Sequence, residues 1–218
     1  MKVYKLITDP DLETQTDVDA APDYLLKKGL YSRYPEEYLD CIGLLPKVEK
    51  TDILSTGTLS LKGLIVNTSI YHQIKDFALH EIQFVDIRTE PLKEYKFMFF
   101  NGDLTHQLDY QRSEFRLLRS SPIRTKILDR EIPPNRNDLI EIYRNECVQS
   151  IFKQLVPLHG YRFLQNFQID KFDVFRIGHF DKSFYISERV KNRLEGFTGF
   201  ECVEAPYFEE DYECKVSE

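Results

Sequence analysis

The densest grouping of chemically capable side chains in this 218-residue chain is Gly178-His179-Phe180-Asp181-Lys182-Ser183. It sets an imidazole, a carboxylate and a hydroxyl within five positions. These are the groups of a nucleophilic relay, in which a base takes the proton of a hydroxyl and a carboxylate orients the base. A working relay assembles its members from separate segments so that they can face one another, which neighbours across a turn do not do. The stretch therefore reads as a turn. His72, His80, His106, His159 and His179 form no HExxH motif, and His80-Glu81 is a fragment of one. Cys41, Cys147, Cys202 and Cys214 are scattered without CxxC spacing, which argues against zinc and reads as reduced, buried thiols. No phosphate loop, dinucleotide fingerprint or nucleophile elbow is present, and nine glycines are few for cradling phosphates. The expectation is a chain with no catalytic residue, no cofactor and no metal.

Charge points to binding. Arg112, Arg116 and Arg119, spaced four and three apart, predict one helix face, and Arg124 and Arg130 extend the cluster. Glu114 and Asp129 interrupt it and no aromatic platform accompanies it, so a nucleic-acid groove is the weaker reading. The net charge of −7 is segregated. Residues 1–23 hold six acids and two lysines, and residues 201–218 hold seven acids and one lysine. Nucleic acid is repelled by such ends, whereas a basic protein is steered toward them. The candidate contact surface is Tyr207, Phe208, Glu209, Glu210, Asp211, Tyr212 and Glu213, where carboxylates would speed encounter and aromatics would supply contact area.

Positioning these groups falls to a pattern that the chain carries twice, at 64–87 and 184–205. Each copy opens on a short apolar strand ending at Val66 or Ile186, followed by a helix-capping residue, Asn67 or Ser187. Apolar residues then recur at the same offsets, Val66, Ile70, Ile74 and Phe77 against Ile186, Val190, Leu194 and Phe197. That spacing lays one stripe along a helix. Each copy closes on an alternating strand, from Ile82 to Ile87 or from Phe200 to Ala205, with the first copy two residues longer between cap and strand. The prediction is a duplicated strand-helix-strand scaffold with the stripe buried.

Elsewhere Met1–Ile7 predicts a first strand, Lys93–Phe100 a strand ended by Asn101-Gly102, Ile123–Leu128 another, and Asp173–Gly178 another. Residues 24–45 read as irregular. Leu139–Phe152 predicts an amphipathic helix with Asp138 as its cap. Strands and helices are interspersed without regular βα alternation, so the fold class is α+β, a mixed or antiparallel sheet with packed helices. Residues 1–218 read as one domain, in which the break Pro133–Asp138 is either a simple loop or a linker between lobes 1–132 and 138–207, with 208–218 an acidic tail. No run approaches the roughly 18 apolar residues of a membrane span, and the start turns acidic where a signal peptide needs an apolar core. The expectation is a soluble, cytoplasmic protein with no membrane partner.

The stretch FDVFRIGHFDKSFYISERVKNRLEGFTGFECVEA resembles the C-terminal signature of a bacterial immunity-protein family of polymorphic toxin systems, the eleventh immunity family, formerly a domain of unknown function. The resemblance is carried by Phe175-Arg176, Ile186-Ser187-Glu188, Val190 to Leu194 and Thr198-Gly199-Phe200. In the first half it is carried by Gly63 to Val66, Ile82 to Phe84 and Leu108 to Ser113, so that it spans residues 57–205. It implies a small cytoplasmic protein that binds the catalytic domain of a cognate toxin and blocks it stoichiometrically, without enzymatic activity of its own. Two other classes are left open: a small hydrolase, and a regulatory nucleic-acid-binding protein using the 112–130 arginines.

Overall fold

A computed structural model describes residues 1–8, 15–18, 38–39, 42–46, 48–54, 63–120, 125–128, 132–148, 153–178, 180–212 and 214. In chain order the first strands are β1 (Val3–Thr8), β2 (Thr16–Val18), β3 (Tyr38–Leu39), β4 (Ile42–Leu44), β5 (Ile53–Leu54) and β6 (Gly63–Asn67). Helix α1 (Thr68–Ile74) leads to β7 (Ile82–Ile87) and β8 (Tyr95–Phe100), then α2 (Tyr110–Ser113), β9 (Phe115–Ser120) and β10 (Thr125–Ile127). Helix α3 (Arg136–Ile142) precedes β11 (Lys153–Pro157), β12 (Val174–Gly178) and β13 (Asp181–Ser187), and α4 (Glu188–Arg193) precedes β14 (Phe200–Glu204). The fold is α+β, as the sequence predicts.

Both copies of the repeat form strand, helix and strand. Asn67 caps α1 by accepting from Ile70 N at 2.8 Å, and Ser187 caps α4 by accepting from Val190 N at 3.4 Å. In each copy the helix carries the chain over a third strand that lies between the two it connects, a split βαβ arrangement. That middle strand is β8 in a sheet of order β3-β7-β8-β6-β5, and β1 in a sheet of order β12-β13-β1-β14.

The registers of the two sheets coincide residue for residue. Val66 faces Ile53 and Lys96, while Ile186 faces Val174 and Tyr4. Across the other edge of the middle strand Phe84 faces Met98, while Cys202 faces Leu6. Strands β5, β6, β7 and β8 thus correspond to β12, β13, β14 and β1. The N-terminal strand fills the place that a strand following β14 would occupy, so the second unit is a circularly permuted version of the first. The β3-to-β7 pairs, Tyr38 with Asp86 and Leu39 with Ile87, and the isolated bridge of Leu79 with Val174 run parallel, whereas the other pairings are antiparallel among the described residues.

The stripes meet in one core. Ile70, Ile74, Val190 and Leu194 are buried with Leu64, Val66, Phe184, Ile186, Ile53, Val174, Met98 and Leu6, so that each residue and its counterpart from the other unit belong to the same cluster. Phe77 and Phe197 close the stripes and are only partly buried. The opposite face of the first unit packs its own cluster, with Phe97, Phe99, Ile65 and Val85 inside. The opposite face of the second unit is covered by the three-stranded sheet β10-β9-β11 and α3, through Phe115, Leu117, Leu139, Ile142 and Leu155.

Two sequence expectations are corrected here. Arg112, Arg116 and Arg119 do not share a helix face, because α2 ends at Ser113 and Glu114 turns the chain with φ of 47° into β9. On a strand, residues 116 and 119 point to opposite faces. The cap of α3 is Asn135, which accepts from Asp138 N at 3.0 Å, and Asp138 lies in the first turn. The break at 133–137 does not part the sheets, since β1 sits between β13 and β14 and β9 pairs with β11 across it. Residues 149–152 of the predicted helix, and most of 24–45, lie outside the described residues.

Candidate functional site

A cavity of about 360 Å³ opens on the outer face of the second unit, between β1, β13, β11 and the turn after α3. A cavity of this size is in the range that small ligands occupy. Its position is informative because of the pseudo-symmetry. The equivalent face of the first unit is solid core, with Phe97 fully buried and Val85 1% exposed. In the second unit their counterparts are Lys5, which lines the cavity, and Val203, which is 46% exposed. A core-filling phenylalanine at one position is a lysine at the other.

Asp181 organises the wall. It begins β13 just after the β12 turn, where Gly178 takes φ of +117°, and its Oδ1 accepts from Ser183 N at 3.0 Å. Its Oδ2 accepts from Tyr161 Oη at 2.6 Å and from Tyr185 Oη at 2.5 Å. Tyr161 and Tyr185 are buried in the aromatic cluster, and burial, reinforced by the Asp181 carboxylate, pushes both phenols well above their ordinary pKa. Tyr207 and Tyr143 are also pushed up, first by burial, and then by Asp181 for Tyr207 and by Cys147 ahead of Asp181 for Tyr143. At neutral pH the wall is therefore a set of protonated phenols that can donate hydrogen bonds. Cys147 is raised by burial and by Glu146, so it stays a thiol and has no thiolate character. Lys153 is paired with Glu146 at 2.5 Å.

The sequence singled out Asp181 and Ser183 for a different reason, and the structure gives them another relationship. They meet through a backbone amide, and the carboxylate is committed to two tyrosines, so no carboxylate-oriented base forms from these two; His179 lies outside the described residues. Among the described residues no group of three His, Cys, Asp or Glu side chains converges as a metal site. His80 is a partly buried histidine packed edge-on to Phe172, and burial lowers its pKa. Lys5, Tyr161 and Tyr185 escaped sequence reasoning. Only the permuted pairing of β1 brings Lys5 beside Tyr185, and nothing local to Met1–Ile7 announces it.

The predicted contact segment runs along the rim of this cavity. Residues Pro206–Phe208 form one 3-10 turn, and Tyr161 N donates to Tyr207 O at 2.7 Å. Gly160, with φ of +72°, lets that approach occur, because a Cβ there would stand 2.4 Å from Tyr207 O. Phe208 packs edge-on against Tyr185 and Phe175, with ring centroids at 4.9 and 5.5 Å, and Tyr207 meets Tyr212 at 5.4 Å. Arg162 donates to Glu209 O at 2.8 Å and to Glu210 O at 2.6 Å. Cys214 N donates to Leu158 O. The segment from 206 to 212 is thus docked backbone, with Phe208 spending its ring on the core, while the side chains of Glu209, Glu210 and Asp211 are exposed. Glu213 lies outside the described residues.

Among the described residues no helix is long and apolar enough to cross a membrane. No protein-family model matches the chain, and no curated protein matches it.

Proposed function

We propose that this chain is a binding protein that neutralises the catalytic domain of a secreted bacterial toxin in the cytoplasm of the producing cell, as an immunity protein, and that it is not itself an enzyme. The observation that supports this most is the fixed acidic rim. Arg162 holds residues 209 and 210 by their carbonyls and leaves the side chains of Glu209, Glu210 and Asp211 exposed, with no ion-pair partner among the described residues. A rigid array of like charge loses little entropy on binding and raises the rate of encounter with a basic surface. The resemblance to the immunity family over residues 57–205 supplies the kind of partner.

The nucleic-acid alternative loses the helix face it relied on, since Arg116 pairs with Glu114 and Arg119 lies on the other side of β9. A hydrolase would need a base near a nucleophile, and the cavity offers phenols and a thiol with raised pKa values instead.

The test measures association with the toxin domain encoded beside this gene, at low and high salt, for wild type and for the triple variant Glu209→Gln, Glu210→Gln, Asp211→Asn. The variant should associate more slowly and with a flatter salt dependence, while dissociation changes less. Equal association rates at both salt concentrations would leave the rim without a role. Absence of any complex with that domain would reject the immunity reading.

A further inference from the structure

We propose that the cavity beside β1 is a binding site for a small organic carboxylate, with Lys5 as its charge partner and Tyr207 as a hydrogen-bond donor. The inference goes beyond the toxin-binding reading and does not depend on it.

The pseudo-symmetry carries the first step. Lys5 pairs with Tyr185 on one side and Val203 on the other, the same register in which Phe97 pairs with Ile65 and Val85. The first unit shows what this scaffold does when the position is purely structural: it buries a phenylalanine completely. The second unit instead holds a cation at the edge of an opening. Lys5 is partly buried there, a lysine where the equivalent position of the first unit encloses a phenylalanine.

The second step is the hydrogen-bond account of the lining. Asp181 is the one carboxylate lining the cavity among the described residues, and it already accepts from Tyr161, Tyr185 and the amide of Ser183, three of its roughly four lone-pair sites. Lys153 is matched by Glu146. Among the described residues the Lys5 ammonium and the Tyr207 hydroxyl have no hydrogen-bond or ion-pair partner. Both are donors, and the phenol remains protonated because burial raises its pKa. Both residues line the same cavity, where two donors suit an acceptor and the Lys5 charge suits an anion.

The third step sets the class of anion. The lining mixes Phe180, Leu155, Pro157 and the tyrosine rings with the polar Gln154, Lys153, Asp181 and Ser183, so the donors stand beside apolar faces that a small ring can cover. A carboxylate carried on a small apolar or aromatic group satisfies both parts. Inorganic phosphate satisfies only the charged part, and an organic cation would meet Lys5 with like charge.

The experiment titrates the full-length protein with benzoate, inorganic phosphate and benzylamine, following backbone amide resonances of Lys5, Ser183 and Tyr207 by NMR. Benzoate is expected to shift them saturably and to bind at least tenfold more tightly than phosphate, and benzylamine is expected to leave them unmoved. Lys5→Phe, which copies the first unit, should abolish the benzoate response while its thermal midpoint holds or rises. Lys5→Met, which keeps the chain length without charge, should weaken benzoate at least tenfold. The proposal fails if benzoate does not saturate, if either folded variant binds it as wild type does, or if benzylamine is the preferred probe. No toxin is present in this assay, so its failure and the failure of the immunity reading are separate results.

Discussion

Asp52 and Asp173 stand at equivalent positions of the two units, and each carboxylate ties its own unit to the other by the same bonds. Asp52 accepts from the capping Asn67 of its own unit at 2.5 Å and from Thr198 N, just after α4 of the other unit, at 2.7 Å. Asp173 accepts from the capping Ser187 of its own unit at 2.6 Å and from Ala78 N, just after α1 of the other unit, at 3.2 Å. The backbone repeats the exchange, with Ile53 N donating to Thr198 O and Val174 N to Ala78 O. Two asymmetries separate them: Arg189 forms a forked pair with Asp173 where Ser69 stands opposite Asp52, and Thr198 Oγ1 adds a bond to Asp52 at 2.9 Å that Ala78 cannot make to Asp173.

This reciprocity predicts unequal costs. Asp173 is buried, and Asp173→Ala would leave the buried Ser187 hydroxyl without its acceptor and free Ala78 N, while the exposed Arg189 returns to water, which should cost about 2 to 3 kcal/mol. Asp52 is more exposed, and Asp52→Ala should cost about 1 to 2 kcal/mol. Urea denaturation of the two variants measures the difference. Equal losses would show that the Arg189 pair and the deeper burial of Asp173 add nothing.

The central core should respond symmetrically. Ile74 and Leu194 occupy the same turn of the two helices and are each 3% exposed. Truncation of either to alanine should cost about 2 to 5 kcal/mol, the usual range for a buried aliphatic side chain. Because the two side chains belong to one cluster, the double variant should depart from additivity by more than about 0.5 kcal/mol. A neutral effect at either position in a denaturation curve would remove it from the shared core.

The local half of this arrangement is legible in the sequence. Caps at Asn67 and Ser187, a helical stripe and a closing strand are short-range features, written in residue type and spacing, and they appear where the sequence places them. The exchange between units was not legible, because it depends on β1 joining the sheet of residues 174–204 across most of the chain, and no periodicity records a long-range pairing. The arginine face failed for a related reason. A spacing of four and three fits a helix, but Glu114 turns the chain after a single helical turn, and pairing with β11 and β10 then draws residues 115–120 into a strand. For the cavity, Asp181 drew notice as a member of a supposed relay, whereas its partners Tyr161 and Tyr185 are fixed by tertiary contacts alone.

Alkaline pH should unfold the protein through its buried phenols. Tyr95 donates to Thr51 O at 2.7 Å, and burial, with Glu94 and then Asp52 adding, pushes its pKa up to about 12. Its folded pKa lies above the value near 10 of an unfolded tyrosine, so its contribution is complete below pH ~10 and is lost as pH rises through ~12. Tyr161 and Tyr185 shift in the same direction. Stability measured against pH should be flat with respect to these groups below about pH 10 and fall above it, by on the order of 2 kcal/mol for Tyr95 alone. Tyr95→Phe should flatten that slope in a pH series of urea midpoints, and an unchanged slope would exclude Tyr95 as a contributor.

The C-terminal segment yields a prediction about stability that is separate from its part in binding. If residues after 205 were an unattached acidic tail, deleting them would relieve charge repulsion and leave the fold intact. The structure instead inserts Phe208 between Tyr185 and Tyr161, closes Tyr207 over Gly160 and anchors the backbone through Arg162 and Leu158. Phe208 is half-buried, so Phe208→Ala should cost about 2 to 3 kcal/mol, below the range for a fully enclosed phenylalanine. Truncation before Pro206 should cost more, because it also exposes Tyr161 and the Asp181 bonds beneath the segment. Neutralising Glu209, Glu210 and Asp211 should leave stability within about 0.5 kcal/mol of wild type or raise it, since only their carbonyls are held. Thermal melts of the three proteins separate the roles: an unaffected truncation would mean that the rim is not fixed, and with it would go the argument that a preordered acidic surface speeds association.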